Sequence, residues 1–208
     1  MSTIVLLGDS ILDNASYTHP EPDTTKILER LVPRWTVQCH ARDGARMADV
    51  SSQLRHLTEQ PEVAVLSIGG NDAVSHIGLL QRRAVTAADI LADLLRIADD
   101  FAERYEPVAA AVRERAERTV LCTIYEVQLE PAPYAKLARV PLAVLNDRIM
   151  RIAARLGVDV LDLRSICTEP SDFVLQIEPS AKGAAKIARA IAGLVDDKTL
   201  TWGRLYSG

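Results

Sequence analysis

Cysteine is scarce in this 208-residue sequence, and its placement argues against pairing. Cys39, Cys122 and Cys167 lie far apart, no C-x-x-C spacing occurs, and two of the three sit in apolar strand-like runs. Neither a disulfide framework nor a cysteine metal site is expected, and the thiols read as small buried hydrophobes. No apolar stretch approaches the roughly 18 residues that a membrane-crossing helix needs, so no membrane partner is expected. The opening stretch "MSTIVLLGDS" lacks a basic region ahead of its apolar run, which argues against a secretory signal and for a cytoplasmic protein. An excess of one charge is also missing: 24 basic against 28 acidic residues leave a formal net charge of -4. That balance gives a polyanion nothing to bind, and nucleic acid is not an expected partner. There is no G-x-x-x-x-G-K-[ST], no G-x-G-x-x-G and no H-E-x-x-H, which removes the common nucleotide and zinc signatures. Asp9, Asp13, Asp72 and Glu178 could in principle gather a hard cation, but hydrogen bonding is the favoured role, and neither a metal nor another cofactor is expected. With no internal repeat, linker or low-complexity segment, residues 1–208 read as one domain. Nothing in the sequence marks an oligomeric state.

What is present is an alternation. Short β-rich runs occur at 3–9 ("TIVLLGD"), 35–41 ("WTVQCHA"), 63–70 ("VAVLSIGG"), 119–125 ("TVLCTIY") and 158–163 ("VDVLDL"). Between them the apolar residues repeat with helical spacing: Ile27, Leu28 and Leu31; Val50, Leu54 and Leu57; then Ile90, Leu91, Leu94, Leu95, Ile97, Phe101 and Tyr105. The stretch 87–116 is expected to break or restart at Pro107. Val144, Leu145, Ile149 and Ile152 mark a further helix ending near Gly157, and 180–195 forms the last. Near-continuous apolar strands separated by helices imply a parallel sheet covered on both faces, a three-layer α/β/α sandwich. Ligands of such sheets bind outside the carboxyl ends of the strands. The segments that matter are therefore the strand exits: "GDSILDN", "ARDGA", "GGNDAVSH", "YEVQLEPAP" and "IEPSAKG".

The first three exits carry Gly8-Asp9-Ser10, Gly44 and Gly69-Gly70-Asn71-Asp72. Singly, each has a local explanation as a turn. In this order, at three successive exits of a small α/β domain, they resemble the SGNH hydrolase superfamily, also called the GDSL esterase/lipase family, over nearly the whole chain. The resemblance implies a five-stranded parallel sheet of order 2-1-3-4-5 and a serine acyl hydrolase acting on a small ester, acetyl group or thioester. Ser10 would be the nucleophile. The Ser10 and Gly44 backbone N–H groups and the Asn71 amide would donate to the oxyanion. Asp9, Asp13 and Asn14 beside the nucleophile are candidate substrate contacts, although Asp13 and Asn14 could equally cap the following turn. His76, at the end of "GGNDAVSH", is either a site residue or an ordinary surface histidine.

The last family motif departs from its pattern. Where the family carries D-x-x-H before Pro and a small polar residue, this chain has "DFVLQIEPSAKG", with Glu178 at the histidine position and Leu175 at the aspartate position. Three readings are open. Glu178 is itself the base, held by Asp172 or Asp13, with its pKa raised from the ordinary ~4.3 by burial or a neighbouring carboxylate. Alternatively, His76 or His19 comes in from another loop as base and Glu178 orients it. The third reading is a non-catalytic ligand-binding protein on a hydrolase fold.

Overall fold

The five apolar runs become five parallel strands, β1 (Ser2–Gly8), β2 (Trp35–Cys39), β3 (Val63–Ser67), β4 (Arg118–Cys122) and β5 (Asp159–Leu161), in the spatial order β2-β1-β3-β4-β5. The structure is a computed structural model that describes residues 2–83, 86–130 and 132–196. The expected single domain over 1–208 and the fourth exit segment therefore extend in part outside the described residues. Helices α1 (Ala15–Thr18), α2 (Thr24–Leu31), α3 (Val50–Arg55), α4 (Gly70–Val74), α5 (Ala87–Arg115), α6 (Ala132–Leu156), α7 (Leu163–Ile166) and α8 (Ala181–Asp196) cover both faces. Alternation along β1 sets the layers. Ile4 and Leu6 pack with Leu28 of α2 and Ile187 and Ile191 of α8, while Val5 and Leu7 pack with α3, α5 and α6. Cys122 and Cys167 are buried free thiols; Cys39 is also free but only half-buried.

Two helices differ from the sequence expectation. α5 runs unbroken through Pro107. Its buried stripe, including Leu94, Ile97, Phe101, Tyr105, Ala109 and Val112, continues on both sides of the proline, whose ring is on the exposed side. An internal proline costs about 3 kcal/mol, less than the gain from burying several large side chains at ~1.5–3 kcal/mol each. α6 starts at Ala132, well before Val144. Its first turns bury Ala138 and Leu142 but present Leu137 and Val140 to solvent, so their apolar residues are split between two faces and mark no clear stripe in the sequence.

The segment ahead of α8 is more ordered than a loop. Strands β6 (Phe173–Val174) and β7 (Glu178–Pro179) pair antiparallel, with Val174 opposite Glu178. The turn between them places two non-glycine residues, Leu175 (φ 48°) and Gln176 (φ 72°), in left-handed backbone, at a cost of order 1–3 kcal/mol each. Three bonds hold it against the loop after β4. The Gln128 N–H donates to the Gln176 carbonyl (2.8 Å), the Glu130 N–H to Gln176 Oε1 (2.8 Å), and the Tyr125 hydroxyl to the Ile177 carbonyl (2.5 Å). At the ribbon's base, the fully buried Asp172 takes Lys186 Nζ (2.6 Å) and the Glu169 N–H (3.0 Å) on Oδ2, which fixes the segment to α8.

A side chain the sequence did not single out secures the strand that leads to Ser10. Buried Gln53 of α3 clamps the Gly8 peptide from both sides: the Gly8 N–H donates to Oε1 and Nε2 donates to the Gly8 carbonyl, each at 2.7 Å. Gln53→Leu removes both bonds and strands the buried Gly8 N–H. The expected loss is about 1–3 kcal/mol of unfolding free energy, measured by urea denaturation, with the parallel-sheet circular dichroism retained.

Candidate active site

Gly8 ends β1 with φ 124°, and a Cβ there would fall 1.7 Å from the Ser67 carbonyl oxygen of β3. Glycine is what lets the chain leave between two tightly paired strands. It then turns: the Asp9 carbonyl accepts from Leu12 and Asp13 N–H (3.1 and 3.0 Å), and Asp9 Oδ1 accepts the Ile11 N–H (3.2 Å). Ser10 sits on this turn, 6% exposed. The loop after β2 is tied to it, because the Asp43 N–H donates to Asp13 Oδ2 (2.9 Å), and Gly44 follows with φ 75°. The β3 exit closes the other side. Asn71 Nδ2 donates to the Ala45 carbonyl (2.9 Å), leaving its second N–H for another acceptor, and buried Asp72 joins the Met47 N–H (3.1 Å) to Arg104 Nη1 (3.1 Å). Among the described residues, no backbone acceptor takes the N–H of Ser10 or of Gly44.

The β6–β7 ribbon delivers Glu178 to this place. It is 9% exposed, and its Oε2 is buried without a hydrogen-bond partner. Burial pushes its pKa above the ordinary carboxylate range; the nearby Ser10 hydroxyl works against that shift, and the charge of Asp43 adds to it. Asp9, 2% exposed, is pushed up to about 8, chiefly by burial, with the Ile11 N–H opposing and the charges of Glu178 and Asp72 adding. Asp43 in turn accepts the Tyr17 hydroxyl (2.8 Å). Its influence on Glu178 has one sequence cue, its position immediately before Gly44. Ser10, Asn71, Asp9, His76 and Glu178 all line one cavity of about 300 Å³ whose remaining wall is largely apolar.

The other candidates lie elsewhere. Asn14 is fully buried outside the cavity wall, its amide engaged with the Ile11 carbonyl (2.8 Å), Thr24 Oγ1 (2.8 Å) and the Thr24 N–H (3.0 Å). It joins α1 to α2 and offers a substrate nothing. Asp13 is also outside the cavity lining and holds the Gly44 loop instead. The Asp172 carboxylate spends its described bonds on Lys186 and Glu169, and none reaches Glu178. His76 is half-buried on the cavity wall, but no hydrogen bond among the described residues joins its ring to Ser10 or Glu178. His19 is exposed and outside the wall, and His40 and His56 stack on each other with ring centroids 6.2 Å apart. No group of three metal-ligating side chains occurs among the described residues, and no described helix is long and apolar enough to cross a membrane.

Residues 6–186 match the sequence model of the GDSL-like lipase/acylhydrolase family. No curated protein matches the sequence significantly. Solved structures do match the fold. The lipase/acylhydrolase from Enterococcus faecalis is similar at 21% identity and a TM-score of 0.67, covering 96% of this chain and 100% of that one. The extracellular lipase of Streptomyces rimosus gives 16% identity and 0.70, covering 92% and 98%. The lipase Lip_vut3 from a goat rumen metagenome gives 14% and 0.73, covering 95% and 99%.

The raised Asp9 pKa has a definite effect on stability. Between the ordinary value of 3.8 and about 8, the folded chain keeps a proton that the unfolded chain has released, so this carboxyl makes folding less favourable as pH rises through that window. Asp9→Asn is expected to gain on the unsubstituted protein by roughly 2–4 kcal/mol between pH 5 and pH 9. Urea melts at both pH values measure this; parallel shifts of the two proteins would place the Asp9 pKa near that of a free carboxylate.

Proposed function

The chain belongs to the GDSL-like lipase/acylhydrolase family, and we propose that it is a serine-dependent acyl hydrolase, acting on a small-molecule ester or thioester, with Glu178 in place of the usual histidine as general base. The observation that carries this reading is the placement of the buried Glu178 carboxylate on the same cavity wall as Ser10, near enough for the Ser10 hydroxyl to hold down the Glu178 pKa. Glu178 takes the Ser10 proton as Oγ attacks the acyl carbonyl carbon, and the carbonyl electron pair moves onto its oxygen. That oxyanion accepts from the Ser10 N–H, the Gly44 N–H and the free N–H of Asn71. One such preorganised donor contributes about 2.7–4 kcal/mol to transition-state stabilisation. Collapse breaks the bond to the alcohol or thiol, which leaves with the proton held by Glu178. Water then attacks the acyl-enzyme, gives its proton to Glu178, and the acid departs as that proton returns to Ser10 Oγ.

A free carboxylate is a weak base for a hydroxyl at neutral pH. Burial and the Asp43 charge counter this by making Glu178 more basic. Asp9 serves as support for the turn, its Oδ1 holding the Ile11 N–H. The cavity supports a preference for apolar acyl groups over acetyl. Ile68, Ile77, Leu79, Leu94, Val127 and Leu142 are among its walls. Its volume of about 300 Å³ equals roughly ten water molecules at the ~30 Å³ each occupies in the liquid. Each methylene placed there gains ~0.8 kcal/mol from leaving water.

With p-nitrophenyl hexanoate, Ser10→Ala is expected to abolish turnover, and Glu178→Gln to lower kcat by about 10²–10⁴-fold. That fall should exceed the one on His76→Ala by tenfold or more. The rate should rise with pH through the raised Glu178 pKa, since only the ionised form accepts the proton. A Glu178→Gln enzyme as fast as the parent would remove the carboxylate base. Failure of every ester to show Ser10-dependent turnover at any pH would leave a ligand-binding protein.

A further inference from the structure

The described residues include eight large hydrophobic side chains that stand exposed, and all but Leu31 gather around the cavity. Val74, Ile77 and Leu175 are on its wall. Leu91 and Leu95 flank the lining residue Leu94 on α5, and Leu137 and Val140 flank the lining residues Ala138 and Pro141 on α6. Two ion pairs fix how these helices lie: Arg148 with Asp99 at 2.7 Å and Arg155 with Glu106 at 2.8 Å. Both pairs have the same sequence offset and are two turns apart, so α5 and α6 run parallel. About one turn and two turns further toward their N-termini, the same offset sets Leu95 level with Val144 and Leu91 level with Val140. The four residues Leu91, Leu95, Leu137 and Val140 are 53–62% exposed. They form an apolar strip along the solvent side of the α5–α6 seam, one layer outside the cavity's far wall of Leu94, Ile97, Ala138 and Leu142.

The cavity leads to that seam from the nucleophile. Its wall passes from Ser10 at the β1 exit across Ser67 and Ile68 at the β3 exit and Thr123 and Ile124 at the β4 exit to α5 and α6. That crosses two strand spacings, about 10 Å. Apolar surface then continues outward on Leu91, Leu95, Leu137 and Val140, with the Arg82–Asp93 and Arg139–Glu126 ion pairs on residues adjacent to the lining ones. An apolar patch of this kind costs solubility unless it is used.

We propose that the α5–α6 seam is the distal part of the acyl site: a chain too long for the cavity passes Leu94 and Leu142 and lies along Leu91, Leu95, Leu137 and Val140. The substrate class is then a long-chain acyl ester or thioester whose tail reaches the surface. This deepens the acyl-hydrolase reading and rests on the cavity being its acyl site.

Two measurements separate the seam from that reading. The first is the ratio of kcat/KM for p-nitrophenyl laurate to that for p-nitrophenyl acetate. It is expected to fall at least tenfold in a Leu91→Asp/Val140→Asp protein and in Ala138→Phe, which plugs the passage. An unchanged ratio in the seam variant, with Ser10-dependent hydrolysis intact, overturns the proposal and leaves the hydrolase reading standing. The second needs no catalysis: fluorescence of cis-parinaric acid bound to the Ser10→Ala protein. Binding displaced by laurate but not by hexanoate, and weakened at least tenfold by Leu91→Asp/Val140→Asp, supports the seam even if no ester is turned over. No binding, or binding indifferent to the double substitution, overturns it. A dimer in sedimentation that the double substitution dissolves, with the chain-length ratio unmoved, assigns the strip to a second copy of the chain and also overturns it.

Discussion

With water excluded from both faces of β1, the chain has to leave the strand before it can place a polar side chain, and it has only the narrow gap beside Ser67 in which to do so. Gly8 supplies the exit, Gln53 accepts the Gly8 N–H and shares the Gly8 carbonyl with the Arg42 N–H, and Asp9 closes the turn on its own backbone. Everything at the site is referred to this point. The Gly44 loop is tied to it through Asp13, the Asn71 segment is tied to that loop through Ala45, and Glu178 lines the same cavity as Ser10. The order β2-β1-β3 matters because it sets the two loops directly on either side of the nucleophile turn.

Around Ser10 the electrostatics are dominated by acids. Asp9, Asp72 and Glu178 are all buried, with Asp43 close enough to raise Glu178. The contact to balance them is Arg104 on Asp72. Burial, with the charge of Glu178 adding at Asp9 and that of Asp43 adding at Glu178, keeps Asp9 and Glu178 protonated above the usual carboxylate range. A histidine base would bring a positive charge into such a site when protonated. A glutamate becomes neutral instead, which changes the charge of the site at every step of a reaction cycle.

Much of this was legible in the sequence because strand exits are marked by residue types with few alternatives. Gly8, Gly44 and Asn71 could be placed together before any coordinates, since a parallel sheet sends its exits to one edge. The departures each have a physical reason. Pro107 is a helix breaker only where its neighbours are not already held by burial, and Tyr105 and Ala109 are. The start of α6 splits its apolar residues between two faces, so a search for a buried stripe passes over it. Asn14 looked like a substrate contact because polar residues near a nucleophile usually are; the Thr24 contact that engages its amide comes from the next helix. Asp172 is close to Glu178 in sequence, but the turn at Leu175 and Gln176 reverses the chain and directs the aspartate into α8. A left-handed turn built from leucine and glutamine has no sequence signature.

That turn bears on how a glutamate came to stand at position 178. The ribbon is fastened to the loop after β4 through the carbonyls of Gln176 and Ile177 and the Gln176 amide, and none of these attachments involves the side chain at 178. The mounting is therefore indifferent to what it carries. A different side chain at 178 would leave every one of these attachments in place, so the backbone that presents position 178 to the cavity is held independently of the group it presents.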